Sequence, residues 1–195
     1  NAINPAFMGS GYEGPRDKTV VAVGRLNFQK NFPLLLRSFA KVAAAFPEYK
    51  LLIYGKGLLQ DTLIAMTREL GISDRVEFLG YVSDMPERLK RAGMFVLSSD
   101  YEGMPNALME AMASGLPCVS TDCGGGGARF LIRDGENGLL VPIGDEVALA
   151  DAMEKVLSDE ELAAKLGNNA RKLQETLAPD KIYGEWEAFI KEIVK

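Results

Sequence analysis

The chain has 195 residues, of which 47% are apolar and 25% are charged, and it carries a formal net charge of −5. This length and composition are typical of one soluble globular domain, and the negative charge gives no electrostatic reason to expect a nucleic-acid partner. The chain contains no histidine, which excludes a Ser–His or Cys–His nucleophile pair within it.

The two cysteines, Cys118 and Cys123, form neither a CxxC motif nor a zinc-ligand pattern, and we expect them to be free thiols in a reducing compartment. No run approaches the ~18 apolar residues that a membrane-spanning helix needs, and no signal peptide opens the chain. Because the first residue is Asn1 and not Met, we expect the sequence to be a fragment of a longer protein.

Short apolar runs rich in β-branched residues alternate with helical patterns along the chain. The predicted strands are 19–23, 51–54, 76–79, 94–97, 117–120 and 138–141. The predicted helices are 32–46, 58–70, 86–91, 107–114, 127–132, 146–157, 160–177 and 181–194. This alternation predicts a doubly wound, Rossmann-like α/β fold, in which helices cover both faces of a parallel sheet of about six strands.

The segment 3–17 is rich in Gly and Pro, so we expect residues 1–17 to be a linker or interdomain segment and residues 18–195 to form the folded domain. In doubly wound folds, ligands bind beyond the carboxyl ends of the strands. The loops at those ends are 24–31, 55–57, 80–87, 98–106 and 121–127. We therefore expect the ligand site in these loops.

Two nucleotide-binding motifs are absent from these loops, which argues against some functions, and the role of one glycine run stays open. The sequence after the first predicted strand, VGRLNFQKN, lacks the GxGxxG pattern of a dinucleotide site, and no Walker A motif occurs. A dehydrogenase or a P-loop ATPase is therefore not favoured. The run GGGG at 124–127 offers backbone N–H groups of the kind that bind phosphate, but a flexible surface loop is the commoner explanation.

Arg25 and Lys30 are the cations of the first loop. Asn31 and Pro33 predict the N-cap and the first turn of the helix that follows. A helix N-terminus flanked by Arg and Lys is an anion site on physical grounds. From their spacing alone, ordinary solvated charges explain both cations equally well.

The stretch DYEGMPNALMEAMASG at 100–115 contains Glu102 and Glu110, with seven residues between them. Glu110 is the only polar residue from 107 to 113, so we expect it to be buried beside a partner. Two carboxylates at the same edge of the sheet, beyond the carboxyl ends of its strands, suit a ligand rich in hydroxyl donors. Alternatively, Glu102 is solvated or pairs with Lys30 or Arg25, and Glu110 bonds to N–H groups of the loop.

Taken together, these segments resemble the C-terminal half of a family 4 glycosyltransferase with the GT-B architecture. The resemblance covers most of residues 18–158, and Glu102 and Glu110 match the E-x7-E signature of that family. The matching segments are VGRL…K at 23–30, LLIYGKG at 51–57, RVEFLGYVSD at 75–84, FVLSSDYEGMPNALMEAMASGLPCVSTD at 95–122 and DGENGLLVP at 134–142.

The resemblance implies a role for each matching position. Arg25 and Lys30 would bind the donor diphosphate. Glu102 would bind hydroxyls of the donor sugar, and Glu110 would bind the ribose hydroxyls. The implied catalytic residues are Arg25, Lys30 and Glu102, and no metal site is implied. The implied substrate-binding residues are Gly24, Arg25, Lys30, Gly55, Gly80, Tyr81, Val82, Glu102, Gly103, Met104, Pro105, Asn106 and Glu110, with 80–82 along the nucleobase edge.

The implied activity is the retaining, metal-independent transfer of a hexose from a nucleotide sugar, with a UDP-sugar favoured, to a glycan or lipid-linked acceptor. We expect no cofactor beyond the nucleotide sugar itself. The acceptor half of the family is missing from this chain, so we expect residues 18–195 to bind the donor without transferring it. Membrane contact is expected only through the missing half, and the expected location is the cytoplasm, or the inner face of the membrane for the full-length protein.

Two alternatives remain open. The chain could be a non-catalytic α/β module that binds a phosphorylated metabolite, or half of a nucleotide-sugar epimerase or phosphorylase-like enzyme. The lack of histidine makes the second alternative less favourable. One position also departs from the family, in which an acidic residue often follows the glycine-rich loop, near Phe130; here the sequence is GGGGARFLI.

Overall fold

The computed structural model describes residues 1–9, 11–12 and 14–194. Its parallel sheet consists of β1 (Thr19–Val23), β2 (Lys50–Tyr54), β3 (Val76–Gly80), β4 (Met94–Leu97), β5 (Cys118–Thr121) and β6 (Leu139–Val141). Within the described residues, these six strands lie in the order β3-β2-β1-β4-β5-β6. The winding direction reverses between β1 and β4, which is the place where doubly wound sheets bind ligands. The predicted fold class is confirmed.

Helices pack on both faces of this sheet. They are α1 (Phe32–Ala45), α2 (Gln60–Glu69), α3 (Met85–Arg91), α4 (Asn106–Ala113), α5 (Gly127–Leu131), α6 (Glu146–Ser158), α7 (Glu160–Arg171), α8 (Leu173–Thr176) and α9 (Pro179–Ile193). The prediction of one continuous helix over 160–177 is wrong, because the helix is interrupted at Lys172. The N–H group of Lys172 bonds to the carbonyl of Asn169 at 3.2 Å, three residues back instead of the four of an α-helix.

Two hydrophobic cores form because successive side chains of a strand point to opposite faces of the sheet. Val20 and Ala22 of β1 face a core shared with α1, α2 and α6. Val21 faces a second core shared with α3 and α4. Phe39 and Phe95 are fully buried, one in each core, and each such burial contributes roughly 1.5–3 kcal/mol. With both faces covered, the loops at the carboxyl ends of the strands remain available for a ligand.

The described residues of segment 1–17 pack against the domain at several points. Ile3 is 1% exposed and Phe7 is also buried, both in the second core, and the N–H group of Ile3 bonds to the carbonyl of Leu177 at 2.9 Å. The Arg16 guanidinium donates to the carbonyl of Gly115 at 2.6 Å, and its burial lowers the pKa of Arg16. At the other end of the chain, α9 carries exposed apolar side chains. None of the helices in the described residues is long and apolar enough to cross a membrane.

Two helical glycines offer a matched test of the packing. A Cβ atom on Gly167 of α7 would overlap the carbonyl oxygen of Gly115, whereas one on Gly184 of α9 would meet open space. We therefore expect Gly167→Ala to lower the free energy of unfolding by about 1–3 kcal/mol. Gly184→Ala should raise it by up to about 1 kcal/mol, because alanine has the higher helix propensity. Urea unfolding of both variants measures this, and effects of the same sign would contradict the close approach of α7 to Gly115.

Candidate functional site

A cleft of about 350 Å³ opens at the carboxyl ends of β1 and β4. One wall is the loop that follows β1, and the other wall is the loop that follows β4 together with the start of α4. The lining residues are Val23, Gly24, Arg25, Asn27, Gln29, Lys30, Glu102, Met104, Asn106, Ala107 and Glu110. Both predicted cations and both predicted carboxylates therefore line one cleft.

Glu102 forms a shielded ion pair with Lys30 inside this cleft. The Nζ atom of Lys30 lies 2.6 Å from Oε1 of Glu102, and the two side chains are 16% and 10% exposed. The Ser99 hydroxyl donates to the same Oε1 at 2.9 Å. Of the alternatives open for Glu102, the pair with Lys30 is the one that forms. Since few solvent molecules reach it, this pair is screened less by salt than a surface pair would be.

Hydrogen bonds join the two walls of the cleft around this ion pair. The Ser98 hydroxyl donates to the carbonyl of Lys30 at 2.8 Å, and the N–H group of Asp100 donates to the carbonyl of Gln29 at 2.9 Å. Asn31, which has a left-handed backbone with a φ of 44°, donates from its side chain to Asp100 at 2.7 Å. These bonds hold the loops after β1 and β4 at a fixed separation.

Glu110 lies between buried apolar residues of α4, as the sequence predicts, but it is only half-buried itself. Burial still raises the pKa of its carboxyl group. Among the described residues, no protein donor bonds to this carboxylate, so the expected bond to loop N–H groups does not occur there. Every fully buried side-chain oxygen in the described residues has a partner, which means that the Glu110 oxygens reach the solvent of the cleft. The more deeply buried carboxylate is Glu102, at 8% exposure.

Positive potential in the cleft comes from Arg25 and from the N-terminus of α4. Arg25 is exposed and makes no ion pair with any residue that the structure describes. The eight-residue helix α4 begins at Asn106, no side chain caps its N-terminus, and both Asn106 and Ala107 line the cleft. The free N–H groups and the helix dipole at such an end attract anions. The arrangement suits a ligand with a negatively charged group.

The glycine run supports the Glu102 loop through its backbone. The N–H group of Glu102 donates to the carbonyl of Gly124 at 2.8 Å, and the N–H group of Gly127 donates to the carbonyl of Glu102 at 3.3 Å. A Cβ atom on Gly125 would lie 2.5 Å from the Glu102 carbonyl oxygen, and one on Gly127 would overlap Gly103. Gly125 and Gly127 thus allow a close approach of two backbones, a role that neither interpretation of the run from the sequence includes.

The remaining predicted site residues lie beside the cleft. Gly103 and Pro105 belong to the same loop as Glu102 without lining the cavity, and Gly55, Gly80, Tyr81 and Val82 lie at the adjacent ends of β2 and β3. The N–H group of Gly55 bonds to the carbonyl of Gly80 at 2.8 Å. A Cβ atom on Gly55 would overlap the carbonyl of Gly24, which does line the cleft. The two groups are therefore contiguous.

Sequence reasoning missed Asn27, Gln29 and Ser99. Asn27 and Gln29 line the cleft, and Ser99 bonds to Glu102 from beneath it. Their only signal is position, because each lies in a loop that follows a strand. Polar residues at such positions are common on any surface, so position alone could not single them out.

Comparison with known proteins identifies the family of this chain. Residues 9–173 match the family model described as glycosyl transferases group 1. The chain is 37% identical over 178 residues to an exopolysaccharide phosphotransferase of Streptomyces coelicolor, covering 91% of this chain and 19% of that protein. It is 34% identical over 156 residues to an N-acetylgalactosaminyltransferase of Campylobacter jejuni that acts on a diphospho-undecaprenol-linked sugar, covering 80% of this chain and 42% of that protein.

A solved structure with the same fold is that of Staphylococcus aureus TarM, determined with Fondaparinux, α-GlcNAc-glycerol and UDP. It superimposes with a TM-score of 0.86 at 26% identity and covers 93% of this chain and 37% of TarM. Such structural neighbours are domains of GT-B glycosyltransferases. The chain spans less than half the length of each of these three proteins. Because the family model matches most of its residues, the chain belongs to the group 1 glycosyl transferases.

Proposed function

We propose that residues 18–195 form the donor-binding domain of a retaining, metal-independent glycosyltransferase that takes a hexose from a UDP-sugar. The observation that carries the proposal is the convergence of Arg25, Lys30, Glu102 and Glu110 on one cleft with the uncapped N-terminus of α4. Membership of the group 1 family disfavours both a non-catalytic module and half of an epimerase.

In this proposal the diphosphate of the donor lies against Arg25, Lys30 and the N-terminus of α4. Each charge-assisted hydrogen bond to the diphosphate contributes about 1.5–3 kcal/mol. The net charge of the chain is −5, so the whole molecule does not attract anions and these positive groups must act locally. Arg25 has no competing ion pair among the described residues.

The two carboxylates bind hydroxyl groups on either side of the diphosphate. Glu102 accepts from hydroxyls of the sugar, beside the backbone of residues 103–106. Glu110 accepts from the vicinal ribose hydroxyls, and the nucleobase lies along Gly80–Val82 and near Gly55. The half-buried carboxylate of Glu110 lacks a protein partner among the described residues, which supports a role in binding a ligand with two neighbouring donors.

During transfer, the bond between the anomeric carbon and the diphosphate oxygen breaks, and its electron pair stays on the diphosphate. The sugar becomes oxocarbenium-like, and an acceptor hydroxyl bonds to the anomeric carbon on the face that the diphosphate leaves. The proton of that hydroxyl passes to an oxygen of the departing diphosphate. Arg25, Lys30 and the α4 N-terminus stabilise the growing negative charge by preorganised electrostatics. This charge stabilisation supports metal independence, and the E-x7-E resemblance supports retention.

The acceptor and the rest of the enzyme are proposed from the relatives. The name of the C. jejuni relative specifies a diphospho-undecaprenol-linked acceptor, which supports a glycan or lipid-linked acceptor here. We assign acceptor binding, and any membrane contact, to a half that this chain lacks, with residues 1–17 as the segment between the halves. Two buried free cysteines support a reducing location such as the cytoplasm.

The role of Arg25 is tested by comparing a nucleotide with its nucleoside. We expect Arg25→Ala to weaken UDP binding about tenfold or more, because it removes a charge-assisted contact to the diphosphate. Uridine binding should change by less than about twofold, since uridine has no phosphate. Calorimetry with UDP and an NMR titration with uridine measure both. Arg68→Ala, the same change on the exposed side of α2, is the control. Equal losses for UDP and uridine would remove the proposed role.

The role of Glu110 is tested with Glu110→Gln. UDP should bind about tenfold more weakly, because the ribose hydroxyls lose a charged acceptor. The affinity for 2′-deoxy-UDP should fall less, because one of the two hydroxyls is already absent. Calorimetry on wild type and variant gives the four constants. An unchanged UDP affinity in the variant would overturn the assignment of Glu110 to the ribose.

Glu110→Gln should weaken ligand binding but stabilise the fold. Because burial raises the pKa of Glu110 in the folded state, ionisation at neutral pH opposes folding, and Glu110→Gln should raise the melting temperature at pH 7. The gain should shrink as the pH is lowered and disappear below about pH 4, where this carboxyl group is protonated in the unfolded chain as well. Glu154→Gln on α6, also half-buried, is the control. A stability loss at pH 7 would contradict an unpartnered Glu110.

A further inference from the structure

We propose that Ser99 is a positioning residue, whose hydroxyl holds the Glu102 carboxylate in place for the donor sugar. The inference rests on the proposed function, in which Glu102 accepts from sugar hydroxyls. It adds a role for a residue that lies outside the cleft lining. The inference rests on a difference between the two carboxylate oxygens of Glu102, because protein donors bond to Oε1 and not to Oε2 among the described residues.

Ser99 and Lys30 converge on one oxygen of Glu102. The Ser99 hydroxyl donates to Oε1 at 2.9 Å, and Nζ of Lys30 lies 2.6 Å from the same atom. Oε2 has no partner among the described residues, and every fully buried side-chain oxygen there has one. Oε2 therefore reaches the cleft, where it is free to accept from a ligand hydroxyl.

Of the two donors to Oε1, Lys30 can also bind the diphosphate, whereas Ser99 cannot. Lys30 lines the cleft and is the proposed partner of the diphosphate. When its ammonium turns toward a diphosphate, its bond to Glu102 weakens. Ser99 is fully buried and has no such second partner in the cleft. Its hydroxyl is therefore the donor that keeps Glu102 oriented while Lys30 is engaged.

The surrounding structure fixes the Ser99 backbone. Ser99 follows β4 by two residues, and its carbonyl accepts a 2.5 Å hydrogen bond from the Thr121 hydroxyl at the end of β5. The next residues are held by Gln29 and Gly124 through their backbones. A rigid donor of this kind lowers the cost of ordering Glu102 when the sugar binds. Removing it should weaken the binding of the sugar moiety and spare the nucleoside diphosphate.

The test is a double-mutant cycle with wild type, Ser99→Ala, Glu102→Gln and the double variant, each titrated by calorimetry with UDP and with UDP-glucose. The readout is the ratio of the two dissociation constants, because a general loss of structure would affect both ligands alike. We expect Ser99→Ala to shift this ratio about five- to tenfold against UDP-glucose. In the Glu102→Gln background, the same change should shift it by less than about twofold.

Two further variants make the cycle decisive. Ser38→Ala removes another fully buried hydroxyl, which donates to the carbonyl of Glu146 at 3.0 Å on the other side of the sheet. It should leave the ratio unchanged. Ser99→Cys keeps the shape of the side chain, with a slightly larger sulfur in place of oxygen, and offers only a weak donor. It should therefore shift the ratio in the same direction by a smaller factor. It replaces Ser99→Ala in the cycle if that variant does not fold.

The outcomes separate this inference from the proposed function. If Glu102→Gln shifts the ratio and Ser99→Ala does not, or if their effects are additive, Ser99 has no positioning role and the proposed function stands. If Ser99→Ala weakens UDP as much as UDP-glucose, its role is only structural. If wild type binds neither ligand at millimolar concentration, the proposed function itself fails.

Discussion

The ion pair between Lys30 and Glu102 is the contact on which the cleft depends. It joins the loop after β1 to the loop after β4, on either side of the point where the winding of the sheet reverses. The fold leaves a gap between these two loops, and the pair spans it together with the hydrogen bonds of Ser98, Asp100 and Asn31. Breaking a shielded pair by removing one partner is strongly destabilising, so the site and the local structure depend on each other.

A tension between stability and binding is built into the other carboxylate. Glu110 lies on an otherwise apolar helix, where burial disfavours its charge and no described residue compensates. Carboxyl groups with a perturbed pKa cluster at functional sites, which is why we propose a ligand role for Glu110. Glu102 is the opposite case, since it is satisfied by Lys30 and Ser99 and is already ordered. In the proposed function, the cleft thus combines one ordered acceptor with one whose partner is the ligand.

Strand and helix positions could be predicted from the sequence because apolar runs and helical periodicity record burial directly. The loops that form the candidate site could also be predicted, since the strands of one parallel sheet have their carboxyl ends at the same edge. The deep burial of Glu102 could not, because it depends on where Lys30 and Ser99 lie in space. The packing of Gly125 and Gly127 against the Glu102 loop could not be predicted for the same reason, because no local pattern reveals a contact between distant segments. The break at Lys172 likewise has no proline or glycine to mark it.

A crystal structure of this chain with UDP-glucose is the direct test of donor binding in the cleft. We expect both ribose hydroxyl oxygens within about 3.2 Å of the Glu110 carboxylate. The same map should contain the diphosphate against Arg25, Lys30 and the start of α4, and a sugar hydroxyl at Oε2 of Glu102. A nucleotide bound outside the cleft, or one whose ribose lies away from Glu110 with the cleft empty, would contradict it.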